Sequence, residues 1–329
     1  MKKITAMILL LAMVLALAAC SGGTNADDKN TDSSEDTYTI GVLYLDQEVL
    51  LSEATAGCQA YAAEHSNVKL IEYNANKDVS TQLKQCENLI SQNVDAIALT
   101  PVDGAGCDQI INACKDAGIP LICFHAKVNG APITNILFDN VGFGKMQVDY
   151  AMEIFEKSGG DMNGTINVGI VTGKLDNQND VERCQGYEEQ LKNYANATIV
   201  DEQVGSWNRD DAMAIAENWI TSGRDIDIIL SNNDAMAIGI SLAYANANVE
   251  RPIIIGVGGT EEGLTAILNG DFDGTVFQPA YQNGYDAIDF TVKYLNGETL
   301  EESYVTEGVL VTPETAQATL DDLNAMLNS

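Results

Sequence analysis

Positive charge is scarce in this chain of 329 residues: 17 Lys+Arg stand against 48 Asp+Glu, a formal net charge of −31. Nucleic-acid affinity rests on Lys and Arg displacing phosphate counterions, so a nucleic-acid partner is excluded. An anionic lipid surface is disfavoured on the same ground. Histidine is nearly missing too, with only His65 and His125, and no two cysteines stand in C-x-x-C spacing. A structural zinc site therefore lacks its ligands, and no metal is expected. No Ser or Cys nucleophile motif or paired-carboxylate signature supports an enzyme that uses His125 as a base. The glycines of Gly256-Val257-Gly258-Gly259 lack the spacing of a dinucleotide fingerprint, and no cofactor is implied. Charged residues make up only 20% and hydrophobic ones 46%, which excludes a charge-swollen disordered chain. What remains is an acidic globular protein.

Residues 1–20 read as an export signal. Lys2 and Lys3 form a positive start, and Ile4 to Ala19 carry no charge. Sixteen apolar or small residues are short for a membrane span of about 20 but suit a signal peptide. The run closes on Leu17-Ala18-Ala19-Cys20, which resembles a bacterial lipobox. Cys20 is thus expected to be lipidated, anchoring the mature protein outside the cytoplasmic membrane without spanning it. Residues 21–37 (SGGTNADDKNTDSSEDT) hold no large apolar residue and read as a flexible tether. The other six cysteines, Cys58, Cys86, Cys107, Cys114, Cys123 and Cys184, follow no spacing pattern. Buried free thiols are expected, with one adventitious bridge as the alternative.

From Tyr38 onward short apolar runs alternate with amphipathic stretches. Ile40–Leu45, Val68–Tyr73, Ala96–Leu99 and Ile119–Phe124 read as strands, separated by helices over Ala54–Glu64, Val79–Gln92 and Ala105–Ala117. The rhythm restarts after Asn140 and continues through helix Val148–Lys157 to helix Tyr281–Leu295. Two doubly wound α/β units exceed one comfortable sheet, so two lobes with parallel sheets are expected. Ligands of open α/β sheets sit at the carboxyl ends of the strands, which places a site in the cleft between the lobes.

The segment Ser231-Asn232-Asn233-Asp234-Ala235-Met236-Ala237-Ile238-Gly239 resembles a strand-to-helix motif of the type I periplasmic binding proteins. Asp95–Pro101, Ala117–Pro120 and Ile255–Thr260 match in the same order. The chain is similar to the ribose- and galactose-binding members over Tyr38 to Pro313. The resemblance implies two Rossmann-like lobes joined by a three-segment hinge, with crossovers near 139–140, 278–279 and 307–308. Lobe one is then 38–139 with 279–307, and lobe two 140–278 with 308–329. It implies a monomer that captures a small polar ligand, most plainly a sugar or sugar derivative, and hands it to an ABC permease. A ligand-sensing adaptor for a chemoreceptor or sensor kinase is the alternative. A sugar-responsive repressor shares the fold, but here a signal stands where a helix-turn-helix belongs.

The same resemblance points to ligand positions. Trp207 falls where related proteins place a ring against a sugar face; a core Trp is the plainer alternative. Asn233 offers donors and an acceptor to a hydroxyl, or caps the following helix. Asp234 serves either the cap or the ligand, and Gln278 matches a hinge amide that contacts sugar. Asp46 and Gln47 follow the first strand as ligand groups or a solvated loop, with Val49 and Leu50 in place of stacking aromatics. Asn177 opens the stretch that holds a ligand Arg in the family. Three charged ligand positions have changed: His125 replaces an Asp, Val181 the Arg, and Gly258 an Asp. Fewer charge-assisted bonds to hydroxyls follow, and a modified, larger or less hydroxylated ligand is expected. Asp161–Asn167 resembles part of a calcium loop with Asp227 as the distant carboxylate, but Gly159 supplies no ligand, and an Asn-Gly turn is expected there.

Overall fold

The computed structural model describes residues 37–328 except 105, 129 and 176. The export signal, Cys20 and all of the tether but its last residue lie outside the described residues.

Two six-stranded sheets carry the fold. The first holds β1 (Tyr38–Tyr44), β2 (Val68–Asn74), β3 (Ala96–Leu99), β4 (Leu121–Phe124), β5 (Thr134–Phe138) and β11 (Ser303–Thr306). Their spatial order is β11-β5-β4-β3-β1-β2, and every pair is parallel. The second holds β6 (Ile166–Thr172), β7 (Ala197–Val204), β8 (Ile228–Ser231), β9 (Ile253–Gly258), β10 (Gly274–Phe277) and β12 (Val309–Val311). Its order is β12-β10-β9-β8-β6-β7, with only β12 antiparallel to its neighbour. The parallel sheets, with helices between their strands, make two α/β lobes.

Helices join the strands: α1 (Val49–Glu64), α2 (Val79–Ser91) and α3 (Asp108–Ala117) in the first half, α4 (Asn140–Lys157) and α5 (Gln178–Leu191) after it. Then come α6 (Arg209–Ser222), α7 (Asp234–Ala247), α8 (Glu261–Asn269), α9 (Ala280–Leu295) and α10 (Ala316–Leu327). Strand side chains alternate between faces, so one strand feeds two cores. Ile40, Val42 and Tyr44 of β1 pack with Ala287 and Ile288 of α9, while Leu43 packs with Leu89 of α2 and Ile110 of α3. The helix ends use side chains suited to them: Asp78 accepts from Thr81 N at 2.6 Å to start α2, and Gly118, at φ 69°, ends α3.

The structure departs from the expected elements at places with a physical reason. The helix expected from Val148 begins at Asn140, where Asp139 caps it by accepting from Gly142 N at 2.9 Å. Gly142 and Gly144 hid this start, and Gly144 is required: a Cβ there would lie 2.3 Å from the Arg183 carbonyl of α5. β5 carries the buried polar Thr134 and Asn135, which broke the apolar run. β11 and β12 are edge strands with exposed residues, and neither was expected. All six described cysteines are free; five are buried and Cys184 is half-buried.

Candidate ligand-binding cleft

The residues expected to meet a ligand stand where parallel strands end. Asp46 follows β1, His125 follows β4, Trp207 follows β7, Asn233 follows β8 and Gln278 follows β10. Asn177 lies between β6 and α5, where its side chain accepts from Asn179 N at 3.0 Å and Asp180 N at 3.4 Å as the cap of α5.

At the centre lies a residue that the sequence reading did not select. Arg183, on α5, is 4% exposed. Its Nε donates to Asn140 Oδ1 at 2.9 Å, one terminal nitrogen to the Asn232 carbonyl at 2.6 Å, and the other to Gln278 Oε1 at 2.7 Å. It thereby ties Asn140, the first residue of α4, to Gln278, the residue before Pro279 at the start of α9. Its guanidinium carbon lies 5.8 Å from the Trp207 ring centroid and 5.8 Å from that of Phe143. A guanidinium has five N–H donors, so the three bonds leave part of its capacity for a ligand. The signal was in the sequence: Arg183 lies two residues beyond Val181, the position where an Arg was sought. Val181 itself points outward, 45% exposed.

His125 joins this centre through a relay. Its carbonyl accepts from Asn179 Nδ2 at 3.4 Å, Asn179 Oδ1 accepts from Asn140 Nδ2 at 3.1 Å, and Asn140 accepts from Arg183. The imidazole stands edge-on to Phe138 with centroids 5.5 Å apart, and its buried Nδ1 has no partner. Burial first, and the Arg183 charge second, push its pKa down to about 4, so it is neutral at pH 7. Trp207 packs flat over Gly173, where a Cβ would come within 2.1 Å of the indole. Both rings sit on left-handed backbone, His125 at φ 70° and Trp207 at φ 63°. Bulky residues rarely tolerate that region, and such strain gathers at ligand clamps.

The remaining positions divide. Asn233 takes the capping role, with Oδ1 accepting from Met236 N at 2.8 Å, and in addition its Nδ2 donates to the Trp207 carbonyl at 3.2 Å. It thus fixes the Trp207 loop against the start of α7. Asp46 is buried, accepts from Glu48 N at 3.0 Å and pairs with Lys77 at 3.4 Å. Gln47 is exposed beside it. No bond links these two to the Arg183 centre among the described contacts.

The family model "Periplasmic binding protein domain" matches residues 42–299. The chain belongs to that family. It is 30% identical to the xylitol-binding protein of Mycolicibacterium smegmatis over 312 residues, 94% of this chain and 84% of that protein. It is 25% identical to the galactofuranose-binding protein of Escherichia coli over 295 residues, 86% and 90% of the two chains. A solute-binding protein of an ABC transporter from Bacillus halodurans, solved with bound myo-inositol, superposes with a TM-score of 0.78. It is 29% identical, with 87% of this chain and 98% of that one covered. As a type I periplasmic binding protein of the ribose and galactose type, the chain is a binding protein and not an enzyme.

Within this family member, Asp234 is the most tightly held group. It is 1% exposed; Oδ2 accepts from Gly259 N at 2.7 Å and Thr260 N at 3.1 Å, and Oδ1 from Thr275 Oγ1 at 2.6 Å. Burial raises its pKa, and those three donors with the Arg183 charge oppose the rise. The carboxylate lies in a cradle of glycines: a Cβ on Gly256, Gly258 or Gly263 would come within 2.5, 3.0 or 2.3 Å of it. Gly258 also has φ 141°. An Asp at 258 would therefore meet both strain and a second carboxylate. In the Asp161–Asn167 segment, Asp161 accepts from Asn163 N at 2.9 Å, and Asp227 accepts from Asn167 N at 2.7 Å. Among the described residues no group of three or more His, Cys, Asp or Glu is placed to hold a metal ion. Likewise no described helix is long and apolar enough to cross a membrane.

Proposed function

We propose that this protein is an extracytoplasmic solute-binding lipoprotein, anchored through Cys20, that captures a small polyhydroxylated ligand and delivers it to an ABC permease. The observation that carries the reading is the pair of strained rings, His125 and Trp207, beside one buried guanidinium at the strand ends. An indole face takes the C–H side of a sugar or polyol, while Arg183, neutral His125 and Gln278 face hydroxyls at its edge. Asn233 and Asp234 act mainly behind that surface, one holding Trp207 and the other the Gly259–Thr260 turn. Asp46 and Gln47 form the rim beside β1, and Asn177 sets the start of α5 beneath the rim. The relatives that bind xylitol and galactofuranose, and the neighbour with myo-inositol, support the hydroxylated class.

The sheets support two lobes that close on the ligand, 38–139 with 279–307 and 140–278 with 308–329. Closure presents a composite surface to the permease, and the monomer is the working unit.

Thermal denaturation with xylitol, myo-inositol, D-xylose, D-ribose and an amino-acid mixture tests the ligand class. Bound ligand stabilises the folded state by about 2.7 kcal/mol at a hundred times its Kd. A rise in Tm with a polyol or sugar supports the reading; a rise with the amino acids alone overturns it. Expression with and without Cys20→Ala tests the anchor: the wild type is expected in membranes, the variant in the soluble fraction, and equal partitioning overturns anchoring.

A further inference from the structure

One buried carboxyl has no use in the fold. Glu53, in the second turn of α1, is 4% exposed, and its Oε2 has no hydrogen-bond partner. Its place follows from how α1 lies on α9. A Cβ on Gly57 would meet the Tyr281 carbonyl, Tyr61 stacks edge-on to Tyr285 at 5.0 Å, and Glu64 accepts from the Tyr285 hydroxyl at 2.8 Å. The two helices pack in close contact, and Ala54, next to Glu53, sits against Gly284, where a Cβ would come within 1.9 Å of the Ala54 carbonyl. Glu53 lies near the start of α1, the helix that follows the carboxyl end of β1, on the side of the sheet where the ligand positions emerge. The negative charge of Asp234, at the start of α7, acts on it as well. Asp234 is already saturated by Thr275, Gly259 and Thr260, so it offers Glu53 no hydrogen bond.

We propose that Glu53 is a ligand-binding carboxyl of the cleft, its Oε2 taking a hydroxyl of the bound polyol or sugar. This rests on the ligand class argued above. The acid that the family resemblance placed at the end of β4 is His125 here, and a carboxyl enters instead from the helix after β1. A buried carboxyl with no partner costs folding free energy, and a ligand hydroxyl relieves that cost. Burial, and then the Asp234 charge, raise the Glu53 pKa to about 8, as expected of a group awaiting a partner.

The test measures Tm without ligand, and Kd for whichever of xylitol, myo-inositol, D-xylose or D-ribose binds the wild type, in Glu53→Gln and Glu53→Leu. Both variants are expected to raise the Tm of the empty protein at pH 8. Glu53→Leu is expected to weaken binding about tenfold, since a buried hydroxyl of the ligand is left without its partner, and Glu53→Gln to weaken it less. A structural role would give the opposite Tm change. Wild-type affinity in both variants overturns the proposal while leaving the ligand class standing. If none of the four compounds binds the wild type, the ligand class itself fails and this assignment fails with it.

Discussion

Lowering the pH from 7 to 5 is expected to destabilise this protein through His125 in particular. The unfolded imidazole takes a proton near pH 6.5, whereas the folded one resists until about pH 4, because it is buried beside Arg183. A base with a lowered folded-state pKa contributes its full stability above the unfolded value. That stability is lost as pH falls through 6.5 toward 4, where the unfolded state binds more protons. The difference between the two values amounts to about 3 kcal/mol when complete, of which about 2 kcal/mol is lost between pH 7 and pH 5. Other ionisable groups contribute to the pH dependence as well, so wild type is compared with His125→Asn. Asn lacks the titration and tolerates the left-handed φ of 70° at this position. Urea denaturation at pH 7, 6 and 5 should show the wild type losing about 2 kcal/mol more than the variant. Parallel pH dependence in the two proteins would refute the burial of the neutral ring.

Three further outcomes follow from the same geometry. Arg183→Met leaves Asn140 Oδ1, the Asn232 carbonyl and Gln278 Oε1 without their donor; at about 1–3 kcal/mol for each buried orphan, urea denaturation should show a loss of about 3 kcal/mol or more. Gly173→Ala drives a Cβ into the Trp207 indole, so ligand titration should show weakened binding, with a stability cost of about 1–3 kcal/mol from overpacking; unchanged affinity would remove Trp207 from the ligand wall. Alkylation of the native protein should label Cys184 first, and the other five described thiols only on unfolding, as read by peptide mass spectrometry.

The fold was legible because parallel strands buried on both faces leave near-continuous apolar runs, and Ile40–Tyr44 and Ile166–Thr172 are such runs. What escaped notice lacked that signature. β5 starts on two buried polar residues, β11 and β12 are half-exposed edges, and α4 begins among glycines required by its contact with α5. The candidate ligand residues could be placed at the strand ends because a doubly wound sheet fixes where its loops emerge. Their partners could not be read the same way. Asn233 bonding the Trp207 carbonyl joins residues 26 positions apart, and Arg183 meeting Gln278 spans 95. Arg183 and Glu53 are ordinary helix residues in the sequence; only tertiary packing makes them buried and polar at the cleft.

Local charge, rather than the total, governs what this cleft can hold. The chain is 31 charges negative, yet its acids in the cleft region are largely occupied or neutralised. Asp234 is filled by three donors, Asp46 is paired with Lys77, and Glu53 stays protonated up to about pH 8. Against them stand one buried guanidinium and a neutral imidazole. Gly258 adds no charge of its own, and a Cβ there would lie 3.0 Å from the Asp234 carboxylate. The surface acidity therefore bears on solubility, while at the candidate site the charges nearly cancel.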